Sequence, residues 1–444
     1  MRKILQKTIT SGTFLGIFIL FVLVSCNSRS VSLENALLEL EEGSYTQLEA
    51  RKPFNSIYEI HFQQPLDHHN PEAGYFTQKV YVSHIDSIRP VVFITEGYTA
   101  NRAYQSEICR LLDANQIIVE HRFFGESVPD PKDWKYLTVE QAANDHHRIV
   151  EYFKKVYSGK WINTGVSKGG QTTMYHRYFF PNDVDISVPY VAPLNFSFDD
   201  PRTYLFLDTV GTPECRQKVY DFQELMLKAR DVYFPMFLSY SESKNHSFTR
   251  MTPEEAFEYS ILEYSFAFWQ WGRWSCEGIP SEKSSVDEIF NHFKEVSGFQ
   301  YFSDEGLSDL EPFFYQALTE IGYYGYDFSE FDGLLKYVTN PIFTFAAPQD
   351  VELTYNFQIM KDVNEYLQSK GNNFIYIYGG SDTWSSTSVD IGNRTNALKI
   401  YKKGGAHNTR IGNLPDEQKE LVVSTLEKWL DMDLDIAKLK RRQR

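Results

Sequence analysis

Residues 165–169 of this 444-residue chain read Gly-Val-Ser-Lys-Gly, which places Ser167 in the pattern of a nucleophile elbow. A short apolar segment precedes the motif, and residues 171–180, which contain neither Gly nor Pro, follow it, so the pattern predicts a strand, a sharp turn and a helix. Small residues at both ends allow such a turn to close tightly and to expose the serine hydroxyl. Because a Gly-rich loop can also contain a serine without any catalytic role, Ser167 needs partners elsewhere in the chain.

Two later turns supply those partners. An acyl-transfer serine requires a base, and the base requires a carboxylate that holds its tautomer and stabilises its cation. Residues 373–378 are predicted to form a strand that leads through a Gly-Gly turn to Asp382, and residues 398–401 a strand that leads through another to His407. The chain order serine, aspartate, histidine is that of α/β-hydrolases. The sequence therefore predicts that Ser167, Asp382 and His407 form a catalytic triad.

The oxyanion of an acyl-transfer reaction requires two backbone amides near the nucleophile. Lys168 N–H is predicted to supply one, and the loop that holds Gly97 and Tyr98, after a predicted strand at 91–95, the other. Glu96 adds a carboxylate beside this site, which would oppose a developing oxyanion unless a cation pairs with it. That cation is either the α-ammonium group of a substrate or a Lys or Arg of the protein, and the sequence leaves both open.

The elements that would carry these residues follow an α/β order. Apolar, β-branched runs predict early strands, residues 138–141 form a capping box that opens a helix, and strand and helix then alternate, which indicates a mostly parallel sheet with an antiparallel edge. From about residue 195 to 338 the pattern is helical, with caps at Thr252 and Ser285. Strands are expected again from 341–347 onward, and a last helix at 416–430. The predicted fold class is an α/β-hydrolase with a large inserted helical cap subdomain.

The N-terminus resembles a bacterial lipoprotein signal. A basic start, an apolar run too short to span a bilayer comfortably, and Leu-Val-Ser-Cys ending at Cys26 predict cleavage and lipidation of Cys26, although ordinary secretion is the alternative. We expect a protein outside the cytoplasm, anchored by lipid to a bacterial membrane. The predicted division is a signal peptide (1–25), a tether (26–50), the N-terminal part of the hydrolase domain (51–194), the cap (195–340), the C-terminal part of the hydrolase domain (341–436) and a basic tail (437–444).

Charge and composition exclude several partners. The formal charge of −15 becomes −18 when the first 25 residues are removed, and an acidic surface disfavours nucleic acid. The cysteine spacings fit no zinc pattern, and the two pairs of adjacent histidines make poor metal clamps, so we predict no metal site and no cofactor. In an oxidising compartment Cys215 and Cys276 can pair, and buried free thiols are the alternative.

The chain resembles the secreted prolyl tri- and tetrapeptidyl aminopeptidases and, more distantly, the lysosomal Pro-X carboxypeptidase and dipeptidyl peptidase group. The resemblance covers most of residues 54–430. It lies in the motifs Gly-Val-Ser-Lys-Gly-Gly (165–170), Glu-His-Arg-Phe-Phe-Gly-Glu-Ser (120–127), Gln-Pro-Leu-Asp-His-His-Asn (64–70) and Gly-Gly-Ala-His (404–407). The segment around Asp382 departs from the distant group, which has Asp-Pro-Trp where this chain has Asp-Thr-Trp.

The resemblance implies a serine peptidase that cleaves after proline near the N-terminus of short or unfolded peptides. By this analogy Glu96 and Glu320 are candidates to hold the free amine of the substrate. Aromatic residues of the cap, Phe268 and Trp269 among them, are candidates to line a pocket for the proline ring, and packing in the core is the alternative role for each of them. The alternatives are a carboxylesterase or another acyl hydrolase with the same triad, and a non-catalytic lipoprotein that binds glycans or peptides at the cell surface.

Overall fold

The computed structural model describes residues 31–40, 43–349 and 351–440. The predicted signal peptide, Cys26 and the last four residues of the basic tail lie outside the described residues. The described strands are β1 (Ser44–Leu48), β2 (Ser56–Pro65), β3 (Tyr75–His84), β4 (Val91–Thr95), β5 (Asn115–Val119), β6 (Trp161–Val166), β7 (Ile186–Tyr190), β8 (Ile375–Gly379) and β9 (Leu398–Lys402).

These strands form one sheet in the order β1-β2-β3-β5-β4-β6-β7-β8-β9. The pairs β1–β2, β2–β3 and β3–β5 are antiparallel, whereas every pairing from β5 through β4 to β9 is parallel. Strands β4 to β8 are buried along almost their whole length because helices cover both faces of the sheet, whereas the edge strand β9 is partly exposed. This arrangement confirms the predicted α/β-hydrolase fold.

Helices fill the two layers and the segment between β7 and β8. They are α1 (Leu33–Leu38), α2 (Glu107–Leu112), α3 (Val139–Phe153), α4 (Lys168–Phe179), α5 (Arg202–Leu207), α6 (Pro213–Lys228), α7 (Arg230–Ser243), α8 (Pro253–Trp271), α9 (Val286–Ser297), α10 (Asp304–Gln316), α11 (Ile359–Ser369) and α12 (Asp416–Leu430). The segment between β7 and β8 contains α5 to α11.

Helix α8 is the central helix of that segment. Thr252 and Glu255 form the predicted capping box, Pro253 stands in the first turn, and Gly272 ends the helix in the left-handed region at φ 56°. Most of its side chains are buried, so α8 is covered by neighbouring helices on nearly every side. The capping signals fix where α8 begins in the chain, and its buried side chains pack it among the neighbouring helices.

Two local predictions were wrong. Residues 341–347, predicted as a strand, contain a 3-10 helix at Phe343–Ala346, because the Phe343 ring packs among other rings, 4.8 Å from Tyr323 between centroids, and has no strand beside it. A short apolar run cannot distinguish these cases. Strand β1 was missed because its side chains are mostly exposed and leave no apolar alternation to detect.

A disulfide bond joins Cys215 of α6 to Cys276, which follows α8 directly. The sequence had left both this pairing and free thiols open. The bond fastens α6 to the C-terminal end of α8. Within the part of the chain that the structure describes, no helix combines the length and the apolar character needed to cross a membrane.

Candidate active site

Ser167 lies at the turn between β6 and α4 in a strained conformation. Its φ of 56° and ψ of −124° are unfavourable for a residue with a side chain. The turn is held because Ser167 N–H donates to the Tyr190 carbonyl of the neighbouring strand β7 at 2.9 Å, while the Ser167 carbonyl accepts the first helical bond of α4 from Gln171 N–H. Such strain at a serine between a strand and a helix is what a nucleophile elbow requires.

The loop after β4 lies directly against this turn, which explains the glycines of both segments. A Cβ atom on Gly97 would lie 2.5 Å from the amide nitrogen of Gly169, and a Cβ on Gly169 would lie 2.6 Å from the Thr95 carbonyl oxygen. Any side chain at either position would therefore push the loop away from Ser167. Close backbone approach brings the Gly97 and Tyr98 amides into the neighbourhood of the serine.

The Lys168 side chain has a role that the sequence did not suggest. It is buried, and its Nζ donates to the Gly97 carbonyl at 2.7 Å while lying 5.6 Å from the Tyr98 ring centroid and 5.0 Å from that of Phe124. Burial lowers the pKa of Lys168 well below its usual value. The residue after the serine thus ties the loop of Gly97 to the elbow through its side chain.

Asp382 and His407 are in contact at the carboxyl edge of the sheet. Asp382 Oδ2 and His407 Nδ1 are 2.8 Å apart, and both side chains are buried. The two loops pack closely, since Ser381 N–H donates to the Gly405 carbonyl at 2.7 Å and a Cβ on Gly379 would lie 2.5 Å from the Ala406 carbonyl. The glycines that preceded each residue in the sequence therefore permit the contact between the carboxylate and the imidazole.

Helix α8 adjoins both of these loops. His407 N–H donates to the Gln270 carbonyl at 2.8 Å, and Thr383 Oγ1 donates to the Phe266 carbonyl at 2.9 Å. The Trp271 ring lies 5.8 Å from the His407 ring in an edge-to-face arrangement. Backbone carbonyls therefore attach the C-terminal half of α8 to the loops that hold Asp382 and His407.

Ser167 and His407 line one cavity of about 790 Å³, which lies between the sheet edge and the helices. Tyr98 and Lys168 of the predicted oxyanion site also line it, as does Glu96. A volume of this size suits a ligand of a few residues. The structure thus brings the predicted nucleophile, base and oxyanion donors to one enclosed space, with Asp382 behind His407.

Three predicted substrate-binding residues do not line this cavity. Glu320 Oε2 accepts from Val139 N–H at 2.8 Å at the first turn of α3, where burial raises the pKa of Glu320 to about 7. Phe268 packs in the core against Tyr264 and Trp269, and Trp269 faces a different cavity. Phe268 and Trp269 lie on other faces of α8, and Glu320 lies in the turn Ala317–Ile321 after α10, so their roles in substrate binding stay predictions. Phe266 and Trp271 of α8 do line the Ser167 cavity.

Glu96 remains in the cavity wall without a cation. Its Oε1 accepts from the Tyr104 hydroxyl at 2.8 Å, and burial raises the pKa of the carboxyl. Among residues 31–40, 43–349 and 351–440, no Lys, Arg or His forms an ion pair with Glu96. The structure thus supplies no protein cation for Glu96, one of the two possibilities that the sequence left open.

Glu263 of α8 is a second carboxylate of the cavity, and sequence reasoning missed it. Its Oε2 accepts from the hydroxyls of Tyr324 and Tyr326, each at 2.7 Å. Burial raises the pKa of Glu263 to about 7. A signal was present, because Glu263 is the only acidic residue in the apolar stretch 259–271 of a helix that we expected to be buried.

A second cavity of about 530 Å³ adjoins the first. Phe266 and Tyr324 line both cavities, and their rings stack at a centroid distance of 3.8 Å. Asp208, Asp327 and Glu330 give the second cavity an acidic wall. A single pair of aromatic rings therefore contributes to the boundary between the two spaces.

Comparison with known proteins identifies relatives over most of the chain. Residues 26–440 match the family described as PS-10 peptidase S37. The chain is 33% identical over 377 residues to a prolyl tri/tetrapeptidyl aminopeptidase of Streptomyces mobaraensis, which covers 83% of this chain and 79% of the relative. It is 29% identical to the lysosomal Pro-X carboxypeptidase of Bos taurus, but only over 111 residues, or 22% of each chain.

Solved structures with a similar chain path include two that cover most of the molecule. VinJ is 11% identical with a TM-score of 0.41, and a proline iminopeptidase of Mycobacterium smegmatis is 11% identical with a TM-score of 0.38. Each match covers 83% of this chain and 98% of the other. Since both TM-scores are low, the strand order and the family match remain the basis of the fold assignment.

Proposed function

Because the chain belongs to the peptidase S37 family and is a serine peptidase, we propose that it releases short peptides from the free N-terminus of proline-containing peptides. The supporting observation is a cavity that holds Ser167 and His407 together with two buried carboxylates, Glu96 and Glu263, that lack a cationic partner among the described residues. The α-ammonium group of a substrate is a cation that such a carboxylate can bind. The relative from Streptomyces mobaraensis carries this activity in its name.

The proposed reaction proceeds through an acyl-enzyme. Ser167 Oγ attacks the carbonyl carbon of the scissile bond while His407 Nε2 takes the hydroxyl proton, and Asp382 holds the opposite nitrogen at 2.8 Å. His407 then gives the proton to the leaving amine. Water, deprotonated by His407, attacks the ester and releases the peptide acid and Ser167.

Backbone amides stabilise the negative charge in both steps. The amide of Lys168 lies at the first position of α4, and Gly97 or Tyr98 supplies the second amide from the loop that packs against Gly169. The bond from Lys168 Nζ to the Gly97 carbonyl fastens that loop to the elbow. Because this positioning is complete before substrate enters, the amides need no reorganisation when the oxyanion forms.

The size and the lining of the cavity support short peptides as substrates. A volume of about 790 Å³ suits a peptide of a few residues, and aromatic side chains such as Phe266 and Trp271 offer flat surfaces for a proline ring. We assign residues 51–194 and 341–436, together with strand β1, to the hydrolase domain and residues 195–340 to its cap. Membership of a serine peptidase family decides against the non-catalytic alternative and favours peptide substrates over simple esters.

A fluorophosphonate probe and peptides with free or acetylated N-termini test this proposal. The wild-type enzyme is expected to be labelled and Ser167→Ala is not. Mass spectrometry should find cleavage after proline near the N-terminus, much faster in free-amine peptides than in acetylated ones. A wild-type enzyme that resists the probe, or that cleaves both kinds of peptide equally well, would contradict the proposal.

The proposal also places the enzyme outside the cytoplasm, anchored through a lipid on Cys26, which lies outside the described residues. The sequence pattern before Cys26 supports this assignment. Metabolic labelling with a fatty-acid analogue is expected to mark the wild-type protein and not Cys26→Ala. Equal labelling of the two proteins would exclude an anchor at this residue.

A further inference from the structure

One face of α8 forms a continuous wall of the Ser167 cavity. The residues of α8 that line the cavity recur at helical spacing and are Glu263, Phe266, Ala267, Gln270 and Trp271. Residues spaced by three or four positions share a face of a helix. The wall therefore runs along the helix axis, from the catalytic residues at one end to Glu263 at the other.

The length of this wall can be read from helix geometry. The end at Gln270 is attached to His407, whose N–H donates to the Gln270 carbonyl at 2.8 Å. Glu263 lies seven residues earlier in the same unbroken helix, a distance of about 10.5 Å at a rise of about 1.5 Å per residue. An extended peptide advances about 3.3–3.6 Å per residue, so three residues span about 10 Å.

The carboxylate at the far end is oriented but not neutralised. Two tyrosine hydroxyls, of Tyr324 and Tyr326, both donate to Oε2 of Glu263, whereas no hydrogen bond reaches its Oε1 from the described residues. Desolvation by burial has the largest influence on the pKa of this carboxyl, and no cation among the described residues offsets it. A buried carboxylate held in this way has a strong, unused capacity to accept from an ammonium group.

From this geometry we infer that Glu263 binds the α-ammonium group of the substrate and thereby sets the released fragment at about three residues. The inference rests on the proposed aminopeptidase function and makes it specific. With the scissile carbonyl at Ser167 and the chain extended along α8, the amine of the third residue reaches Glu263. A shorter fragment leaves the carboxylate unpaired, and a longer one must bend.

Glu96 is less suited to this task. It directly precedes Gly97, the residue that packs against the elbow, so it lies near the scissile bond rather than three residues away. It also lines a separate cavity behind the elbow. The two carboxylates therefore lie at different distances from the catalytic serine, and only Glu263 matches a three-residue fragment.

The test uses the full-length enzyme with anilide substrates whose acyl part has two, three or five residues ending in proline, each with a free or an acetylated N-terminus. Wild type is expected to prefer the free three-residue substrate. Glu263→Gln should lower kcat/KM for that substrate by about 100-fold through KM, remove the preference for a free amine and flatten the length profile. Glu295→Gln removes the same charge from an exposed part of the cavity wall and should keep both preferences.

Two controls separate the possible failures. The rate of Ser167 labelling by a fluorophosphonate should be the same in wild type and Glu263→Gln, which shows that the catalytic groups are intact. If Glu263→Gln keeps the preference for a free three-residue substrate, or if Glu96→Gln abolishes it instead, the role of Glu263 is overturned while the aminopeptidase function stands. A wild-type enzyme without any preference for free amines overturns the proposed function itself.

Discussion

Each half of α8 contains a buried glutamate, and the two glutamates differ in their hydrogen-bond and ion-pair partners. In the N-terminal half, Glu258 accepts from the Arg230 guanidinium and from the backbone N–H groups of Lys336, Tyr337 and Val338. In the C-terminal half, Glu263 accepts from two tyrosine hydroxyls and from no other group among the residues that the structure describes. The first carboxylate has a cation and a full set of donors, and the second has neither.

This difference separates a structural carboxylate from a functional one. A buried charge is costly unless it is paired and hydrogen-bonded, so a protein that needs only a stable fold satisfies it completely, as at Glu258. Glu263 is equally enclosed but lacks a cation, and the burial that raises its pKa to about 7 makes the folded state less stable at neutral pH. Such a cost is typical of sites that a ligand completes.

The largest expected effect is the loss of stability in Glu258→Ala. The substitution leaves the buried Arg230 guanidinium without its carboxylate and three backbone amides without an acceptor. We expect the free energy of unfolding to fall by about 3–5 kcal/mol, measured by urea denaturation at pH 8. A loss below about 1 kcal/mol would show that Glu258 is not a structural ion pair and would remove the contrast with Glu263.

Glu263→Gln is expected to change stability in the opposite direction. The pKa of Glu263 is raised from 4.5 to about 7 in the folded state, so the native protein binds the extra proton between these values and its stability falls as pH rises through them. The variant lacks this penalty and should be more stable than wild type by on the order of 3 kcal/mol at pH 8. At pH 4 the two should agree, and equal stability at both pH values would contradict the assignment.

Substrate binding should depend on pH for the same reason. The ion pair needs Glu263 ionised, which holds above its pKa of about 7, and the substrate amine protonated, which holds below about 8. We expect KM for a free-amine peptide to rise as pH falls below 7, by up to about tenfold per unit. The acetylated peptide measured in parallel should lack this rise, so an identical KM profile for both peptides would count against the ion pair.

The smallest expected effect is that of Tyr326→Phe, which removes one of the two hydroxyls that donate to Glu263 Oε2. Loss of a donor to a carboxylate makes ionisation less favourable, so the pH at which KM rises should move upward. The change in unfolding free energy should be about 1 kcal/mol. The exposed Tyr337 offers a matched control, since its side chain hydroxyl makes no hydrogen bond among the residues that the structure describes.

Much of this arrangement could be predicted from the chain alone, because its signals are local. Capping residues gave the start of α8, and glycine turns after apolar strands indicated Ser167, Asp382 and His407, whose roles as a triad remain predictions. The mostly parallel sheet with an antiparallel edge followed from the alternation of strands and helices, whereas the order of the strands came only from the structure. Each of these features depends on residues that are neighbours in sequence or on the general order of elements.

The role of Glu263 could not be predicted in the same way. Its donors, Tyr324 and Tyr326, lie about 60 residues later in an irregular segment, and no local pattern indicates that their hydroxyls meet α8. The sequence also could not show that Glu320, Phe268 and Trp269 lie away from the Ser167 cavity, because the face that each side chain presents depends on tertiary packing. The distinction between Glu258 and Glu263 exists only in the folded molecule.

The stacked rings of Phe266 and Tyr324 allow substrate specificity to change through single substitutions. The two rings contribute to the boundary between the two cavities, and both are side chains. Substrate specificity can therefore change during evolution without any change to the sheet or to the catalytic loops. A smaller residue at position 266 would connect the two cavities and admit longer acyl groups. Mass spectrometry of the released fragments would detect this change. Substitutions at this aromatic pair are therefore a way to engineer a peptidase that releases longer fragments.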